Sequence, residues 1–121
     1  MKNLQKLGFT LIELLIVIAI IGILIAVSTV SYLTASKQSR DTRRKSDLEQ
    51  IRQALETYRA DVGTYPNDTS LLAPNYITTL PTGPKSDAYT YTLTTSTTYT
   101  LCASLETITS PNTCNYTVKN P

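Results

Sequence analysis

The sequence predicts an α+β fold, in which one long N-terminal helix packs against a small antiparallel β-sheet. Three patterns lead to this prediction. A continuous apolar run fills residues 9–30, long enough for about six helical turns. Beyond a polar segment, apolar residues recur at steps of three and four as far as Val62, which is typical of a helix with one buried face. Tyrosine and leucine then alternate with threonine between residues 89 and 105, as in half-buried strands.

The composition excludes the familiar catalytic and metal sites. At 121 residues the chain is one domain at most, with no histidine and only two cysteines, Cys102 and Cys114. A Ser-His-Asp relay and a His-based zinc site are therefore impossible. The sequence also has no Gly-rich phosphate loop and no paired-carboxylate motif. We expect neither an enzyme nor a bound cofactor or metal.

The apolar run contains one carboxylate, Glu13, which decides between two interpretations of this segment. As a helix, the run spans about 33 Å and matches a hydrocarbon core of roughly 30 Å. It could be a secretory signal peptide cut near Ala26-Val27-Ser28, or a retained membrane anchor. A carboxylate costs roughly 2.5–3.5 kcal/mol at mid-bilayer, and a discarded segment has no use for it. A retained anchor in which Glu13 meets a cation is favoured, and a charge tolerated near the membrane boundary is the alternative.

The segment KLGFTLIELLIVIAIIGILIAV, residues 6–27, strongly resembles the N terminus of type IV pilins and of the pseudopilins of type II secretion. The resemblance implies that a prepilin peptidase cuts after Gly8 and methylates the new amine of Phe9, and that Glu13 is the family's glutamate. The chain would then have four parts: a cleaved leader (1–8), a transmembrane or filament-core helix (9–30), a polar and then amphipathic extension of that helix (31–62), and a small β-rich head (63–121).

Cleavage would create a cation on Phe9, four residues before Glu13. In a stack of parallel helices, the amine of an incoming subunit can meet Glu13 of a subunit already in place. Such a pair is much stronger in a low-dielectric core than at a surface, and either partner alone would be costly to bury. We therefore predict an inter-subunit salt bridge between Phe9 and Glu13 that fixes the register of the subunits.

The charges that flank the apolar run give a conflicting signal about orientation. Five cations follow the run and outnumber Lys2 and Lys6 before it, so a positive-inside count would place the C-terminal part in the cytoplasm: Lys37, Arg40, Arg43, Arg44 and Lys45. The cysteine pair favours an oxidising compartment instead, and the family resemblance also places the head outside. We expect a single pass through the cytoplasmic membrane with the N terminus inside, followed by an extracellular or periplasmic filament.

The second half of the predicted helix has a polar part and an amphipathic part. Residues 34–47 lack large apolar side chains, and pairs such as Lys37–Asp41 and Arg43–Asp47 predict an exposed helix. A solvated or inter-subunit face is favoured over a nucleic-acid or lipid-phosphate patch. A predicted buried stripe follows, ending at a Gly63 cap: Leu48, Ile51, Leu55, Tyr58 and Val62. Relatives often carry a proline near the end of the apolar run, and its absence here predicts a more continuous helix.

The head begins with GTYPND, residues 63–68, which resembles the Gly-x-Tyr-Pro that follows the long helix in major pseudopilins and some pilins. Two strands are predicted around a turn at residues 94–97, and Cys114, Tyr116 and Val118 suggest a third. Some pseudopilins bind calcium near the sheet, but Asp87 and Glu106 are too few ligands here, so we do not expect calcium.

Cys102 and Cys114 would close a 13-residue loop, and a disulfide there would contribute about 3 kcal/mol. A reduced, buried pair is the alternative. Asn67 and Asn115 each begin an Asn-x-Thr pattern that marks a weak candidate for glycosylation.

We therefore interpret the chain as a prepilin, the structural subunit of a type IV pilus or pseudopilus. Its expected partners are further copies of itself, a prepilin peptidase, an inner-membrane platform protein, an assembly ATPase and, before assembly, membrane lipid; nucleic acid is not expected. The alternatives are a membrane-anchored binding domain that never polymerises and a secreted domain released near Ser28. The sequence leaves open whether the filament is a pilus or a pseudopilus.

Overall fold

The computed structural model describes residues 8–109 and 114–120, and it has the predicted α+β fold. One helix, α1 (Leu11–Val62), precedes a short 3-10 helix (Thr69–Leu72) and three strands. The strands are β1 (Thr90–Thr95), β2 (Thr98–Ala103) and β3 (Tyr116–Lys119). The chain divides into two compact units, Met1–Ala35 and Ser36–Pro121.

Helix α1 is unbroken between Leu11 and Val62, as the absence of proline predicts. It ends at the predicted cap, where Gly63 adopts a positive φ of 87°. The Gly63 N–H donates to the Arg59 carbonyl over 2.8 Å, which satisfies one of the carbonyls left free at the end of the helix. Glycine adopts this left-handed conformation without the steric penalty of a Cβ atom.

The three strands form one antiparallel sheet in the order β1-β2-β3. In this register, the central residue Leu101 lies opposite Tyr91 on one side and Val118 on the other. Strand β1 extends to Thr95, so the hairpin turn is shorter than the predicted one at residues 94–97. The register shifts between Leu93 and Thr95, and this irregularity in β1 accommodates the shorter turn.

The core of the head lies between the sheet and the second half of α1. Leu48, Ile51 and Leu55 are buried as predicted, and Tyr99, Leu101 and Ala103 of β2 belong to the same cluster. Ala54 of α1 and Tyr65 and Leu72 of the connecting segment belong to the same cluster. The apolar face of α1 therefore stabilises the head by removing its side chains from water.

The prediction for Val62 is wrong, because its side chain is 53% exposed. The core covers the turns of α1 from Leu48 to Tyr58, and the chain leaves the helix at Gly63 without covering its last residue. Apolar periodicity detects the face of a helix but not how far its partner extends along it.

Candidate assembly site

The start of α1 is built around Thr10 and Glu13. The Thr10 N–H and hydroxyl both donate to Glu13 Oε2 over 2.9 Å, and the Glu13 N–H donates to the Thr10 hydroxyl over 3.3 Å. This reciprocal arrangement is a capping box, which satisfies N–H groups that have no partner within the helix. The sequence analysis did not predict a role for Thr10, although Thr-x-x-Glu is the sequence signature of a capping box.

The capping box leaves Glu13 able to receive a further donor. The bonds from Thr10 to the carboxylate use Oε2, and no residue in the described part of the chain donates to Oε1. Phe9 is 82% exposed, and a Cβ added to Gly8 would have no atom within 4 Å. The predicted pair joins two subunits, so a single chain does not test it. Residues 1–7 of the predicted leader lie outside the described part.

The first unit exposes a continuous apolar surface. The large apolar side chains described between Phe9 and Leu33 are 45–82% exposed. Within the described residues, α1 is the one helix long and apolar enough to cross a membrane by length and composition. Soluble monomers rarely expose apolar patches of this extent, so the surface needs lipid or protein around it.

Two hydroxyl groups on this surface are satisfied within the helix. Ser28 Oγ donates to the Leu24 carbonyl over 2.7 Å, and Thr29 Oγ1 donates to the Ala26 carbonyl over 3.0 Å. Both lie at a groove of about 610 Å³ lined by Leu24, Ile25, Ser28, Thr29, Tyr32 and Leu33. Because neither hydroxyl needs water as an acceptor, the groove is compatible with an apolar surrounding.

The head contains a group of charged side chains that we call the Arg44 cluster: Arg40, Asp41, Arg44, Lys85, Asp87 and Glu106. Arg44 is almost fully buried and pairs with Asp41 (2.9 Å), Asp87 (2.6 Å) and Glu106 (3.0 Å). Arg40 and Lys85 pair with Glu106 as well, over 2.8 Å and 3.1 Å. The cluster joins Arg44 of α1 to two loops whose residues Asp87 and Glu106 lie 43 and 62 positions later in the sequence.

Asp41 holds the second of these loops through its backbone. Its carboxylate accepts the N–H groups of Glu106 and Thr107 and the Thr107 hydroxyl, each over 2.7–2.8 Å. Burial raises the pKa of Asp41, but these hydrogen bonds outweigh burial and leave that pKa below its usual value. The Arg40 guanidinium holds the pKa of Glu106 far below its usual value. Both carboxylates are therefore ionised at neutral pH.

The Arg44 cluster corrects the prediction of an exposed polar helix over residues 34–47. Asp41, Arg44 and Asp47 are buried, and Asp41 pairs with Arg44 rather than through the predicted spacing to Lys37. The buried face of α1 thus continues from Leu48 into charged residues at the same helical spacing. Hydropathy patterns miss such a face because its partners lie on distant loops.

The loop that carries Asp87 depends on Gly83. The Gly83 N–H donates to the Asp87 carbonyl over 2.9 Å, and a Cβ at residue 83 would approach Asp87 Cβ to 3.0 Å. Any side chain at residue 83 would crowd this close approach. Glycine therefore allows the loop to bring Asp87 to Arg44.

The structure has the Cys102–Cys114 disulfide, with the two Cα atoms 5.6 Å apart. Cys102 is buried on β2, and Cys114 precedes β3 rather than belonging to it. No group of three or more potential metal ligands occurs within residues 8–109 and 114–120. Asp87 and Glu106 instead accept hydrogen bonds from cationic side chains.

Comparison with known proteins assigns this chain to a family. Residues 4–29 match the prokaryotic N-terminal methylation motif. Residues 31–105, more than half of the chain, match type II secretion system (T2SS), protein G. The chain belongs to the T2SS protein G family. The predicted relationship to type IV pilins and type II secretion pseudopilins is confirmed.

Relatives of this protein G family member include both pilins and secretion proteins. The type IV major fimbrial protein FimA of Dichelobacter nodosus is 51% identical over 61 residues, which cover 50% of this chain and 38% of FimA. The T2SS core protein G of Vibrio cholerae is 36% identical over 92 residues, covering 74% of this chain and 60% of that protein. The type IV wide pilus major component PilA4 of Thermus thermophilus is 45% identical over 65 residues, covering 54% and 50% of the two chains.

The chain spans between 38% and 60% of the length of these three relatives. No solved structure is significantly similar to it.

Proposed function

We propose that this protein is a structural subunit of a type IV pilus or pseudopilus, which polymerises through the first half of α1. The observation that carries the proposal is the apolar surface between Phe9 and Leu33, which contains Glu13 in its first turn. Its length suits a membrane before assembly, and its exposure suits packing against further copies afterwards. Membership of the T2SS protein G family supports a structural role rather than catalysis.

Processing at the N terminus prepares the subunit for assembly. A prepilin peptidase cuts between Gly8 and Phe9 and methylates the Phe9 amine, as the match to the methylation motif at residues 4–29 suggests. Gly8 and Phe9 are both exposed, which leaves this bond accessible to the peptidase. The helix start survives the cut, because the Thr10 N–H that bonds Glu13 belongs to the peptide bond after Phe9.

Each new subunit then pairs its Phe9 amine with Glu13 of a subunit already in place. The capping box orients the Glu13 carboxylate, and Oε1 accepts the amine. Inside a packed filament this pair is shielded from water, so a register that separates the charges would leave both uncompensated. The remaining apolar side chains supply packing without a preferred register.

The other partners follow from this role. They are membrane lipid before assembly, an inner-membrane platform protein and an assembly ATPase. The subunit lies in the cytoplasmic membrane with its N terminus inside and its head outside, and it later joins an extracellular or periplasmic filament.

The role of Glu13 is tested by replacing it with alanine or glutamine in cells that assemble the filament. Either variant should insert and be cleaved normally, because the scissile bond lies before Phe9. Assembly should fail, because each added subunit would bury an unpaired cation at a cost of about 3–5 kcal/mol. The measurements are sheared filament yield by electron microscopy and the mass of the mature N terminus.

Ile12→Ala is the matched control, since it truncates a neighbouring exposed side chain without changing charge. It should leave filament yield closer to that of the wild type than either Glu13 variant does. Abundant ordered filaments from Glu13→Gln would contradict the role of the charge pair. An uncut Met1 in the wild-type protein would favour the membrane-anchored domain that does not polymerise.

A further inference from the structure

We propose that Asn115 positions the two cysteines for disulfide formation, by closing the Cys102–Cys114 loop without a covalent bond. Asn115 directly follows Cys114, and its side-chain amide bonds to the backbone just beyond Cys102. The inference concerns the folding of the head and does not depend on the filament role.

The Asn115 amide holds Leu105 at two points. Its Oδ1 accepts the Leu105 N–H over 2.6 Å, and its Nδ2 donates to the Leu105 carbonyl over 2.8 Å. The same Nδ2 donates to the Ile108 carbonyl over 3.3 Å. One side chain therefore satisfies both backbone groups of a buried residue, as a paired strand would.

This contact lies where the strand ladder ends. The last regular pair between β2 and β3 joins Ala103 to Tyr116. Continuing that register would place Leu105 opposite Cys114, beyond reach of a bond to Cys102. In the structure the next pair of inter-strand hydrogen bonds is made by the side chain of Asn115 rather than by its backbone. The chain leaves the sheet at that residue. Cys114 is thereby brought to a Cα distance of 5.6 Å from Cys102.

A second contact anchors the same loop on the helix. Asp41 accepts the N–H groups of Glu106 and Thr107, next to the residue that Asn115 holds. The segment from Leu105 to Ile108 is thus fixed from both sides by side chains outside it. Because these bonds do not involve sulfur, they can form while the cysteines are reduced.

Oxidation then needs little further ordering of the chain. The two thiols react with a small-molecule disulfide such as oxidised glutathione, giving the protein disulfide and two molecules of reduced glutathione. The equilibrium constant of this exchange equals the effective concentration of one thiol in the neighbourhood of the other. Ordering of the loop before oxidation raises this effective concentration. By linkage, a substitution that costs the oxidised head more free energy than the reduced head must lower that constant. Loss of the Asn115 contacts has this effect, because the ordered loop, in which the two thiols lie within reach of each other, is the form that the disulfide favours.

The test equilibrates the full-length protein in detergent micelles with defined ratios of reduced and oxidised glutathione, followed by alkylation and mass spectrometry. Asn115→Ala should lower the effective thiol concentration by about tenfold or more, since it removes the bonds that order the loop. Asn67→Ala, at an exposed asparagine outside the loop, should leave it unchanged. Equal constants for wild type and Asn115→Ala would overturn the proposal.

A second measurement needs no variant and therefore stands even if Asn115→Ala fails to fold. Amide hydrogen exchange at Leu105 is measured in the wild-type protein before and after reduction. The Leu105 N–H should stay protected after reduction, because its acceptor is the Asn115 side chain. Exchange at the rate of an unprotected amide in the reduced protein would show that the disulfide, not Asn115, closes the loop.

Discussion

Asp41 shows how one buried carboxylate can determine the stability of a small head. It accepts two backbone N–H groups and a hydroxyl from one loop and pairs with Arg44 on its own helix. Its pKa is lowered by these hydrogen bonds in spite of burial. A buried ion pair contributes little when intact, but the loss of one partner is costly because the other charge stays buried.

We predict that Asp41→Asn destabilises the head by about 3 kcal/mol at neutral pH, since it leaves Arg44 undercompensated and places an amide against two N–H donors. Glu49→Gln is the matched control. Glu49 is only partly buried, with a side chain 44% exposed, and pairs with Arg52, so its substitution should cost below about 1 kcal/mol. Thermal unfolding of the full chain in micelles, followed by near-ultraviolet circular dichroism of the tyrosines, measures both.

The same variant tests the pH dependence of stability. Carboxyl groups whose pKa is lower in the folded head, such as those of Asp41 and Glu106, stabilise it above their unfolded pKa values of roughly 4. Wild-type stability should therefore fall as the pH drops below about 5, and Asp41→Asn should show a shallower slope. Parallel slopes for the two proteins would contradict the assignment of this stability to Asp41.

At the scale of elements, the start of α1 depends on the capping box. Thr10→Val keeps the shape of the side chain but removes the hydroxyl that bonds Glu13 in both directions. We predict that the first turn loses about 1 kcal/mol, so that the Glu13 amide exchanges about fivefold faster in micelles. Thr29→Val is the control, because the Thr29 hydroxyl bonds within the middle of the helix. Similar exchange at Glu13 in all three proteins would show that Thr10 does not hold the helix start.

The regular elements could be predicted because their residues repeat with the period of the structure they form. Leu48, Ile51 and Leu55 mark a buried helix face, and Tyr91 and Leu93 mark the half-buried face of a strand that packs on the core. The helix cap at Gly63 could be predicted as well, since few residues other than glycine adopt a positive φ without strain.

The polar contacts could not be predicted in the same way. Arg44 meets Asp87 and Glu106, which lie 43 and 62 residues later, and no periodic pattern connects positions so far apart. Asn115 was visible only as part of a glycosylation pattern, whereas its amide bonds the Leu105 backbone. Such contacts arise from the tertiary fold, which determines the loops that lie over α1.

At the scale of the whole molecule, the two compact units carry separate tasks. The first contains the proposed cleavage and assembly residues, Gly8, Phe9 and Glu13, and the second contains the Arg44 cluster and the disulfide. The contacts that stabilise the head lie within the second unit. A change at the N terminus should therefore leave the fold of the head intact, even when it prevents the head from reaching a filament.

Gly8→Val provides the test of this separation. The described part of the chain has room for the substitution, because a Cβ at Gly8 would meet none of its atoms within 4 Å apart from those of the neighbouring residues. A block in processing would therefore come from the peptidase, which the family resemblance suggests requires a small residue before the cut. We predict that the precursor stays in the membrane with its Met1 end uncut and forms no filaments.

The control is Gly22→Val, at a second glycine where an added Cβ meets no atom within 4 Å. It introduces the same side chain into the same unit, but away from the cut, so mass spectrometry should find normal cleavage. Alkylation without reduction should find the Cys102–Cys114 disulfide in both variants, because the second unit folds from its own contacts. Normal trimming of Gly8→Val would contradict the proposed leader, and free thiols in the uncut precursor would show that the head depends on processing.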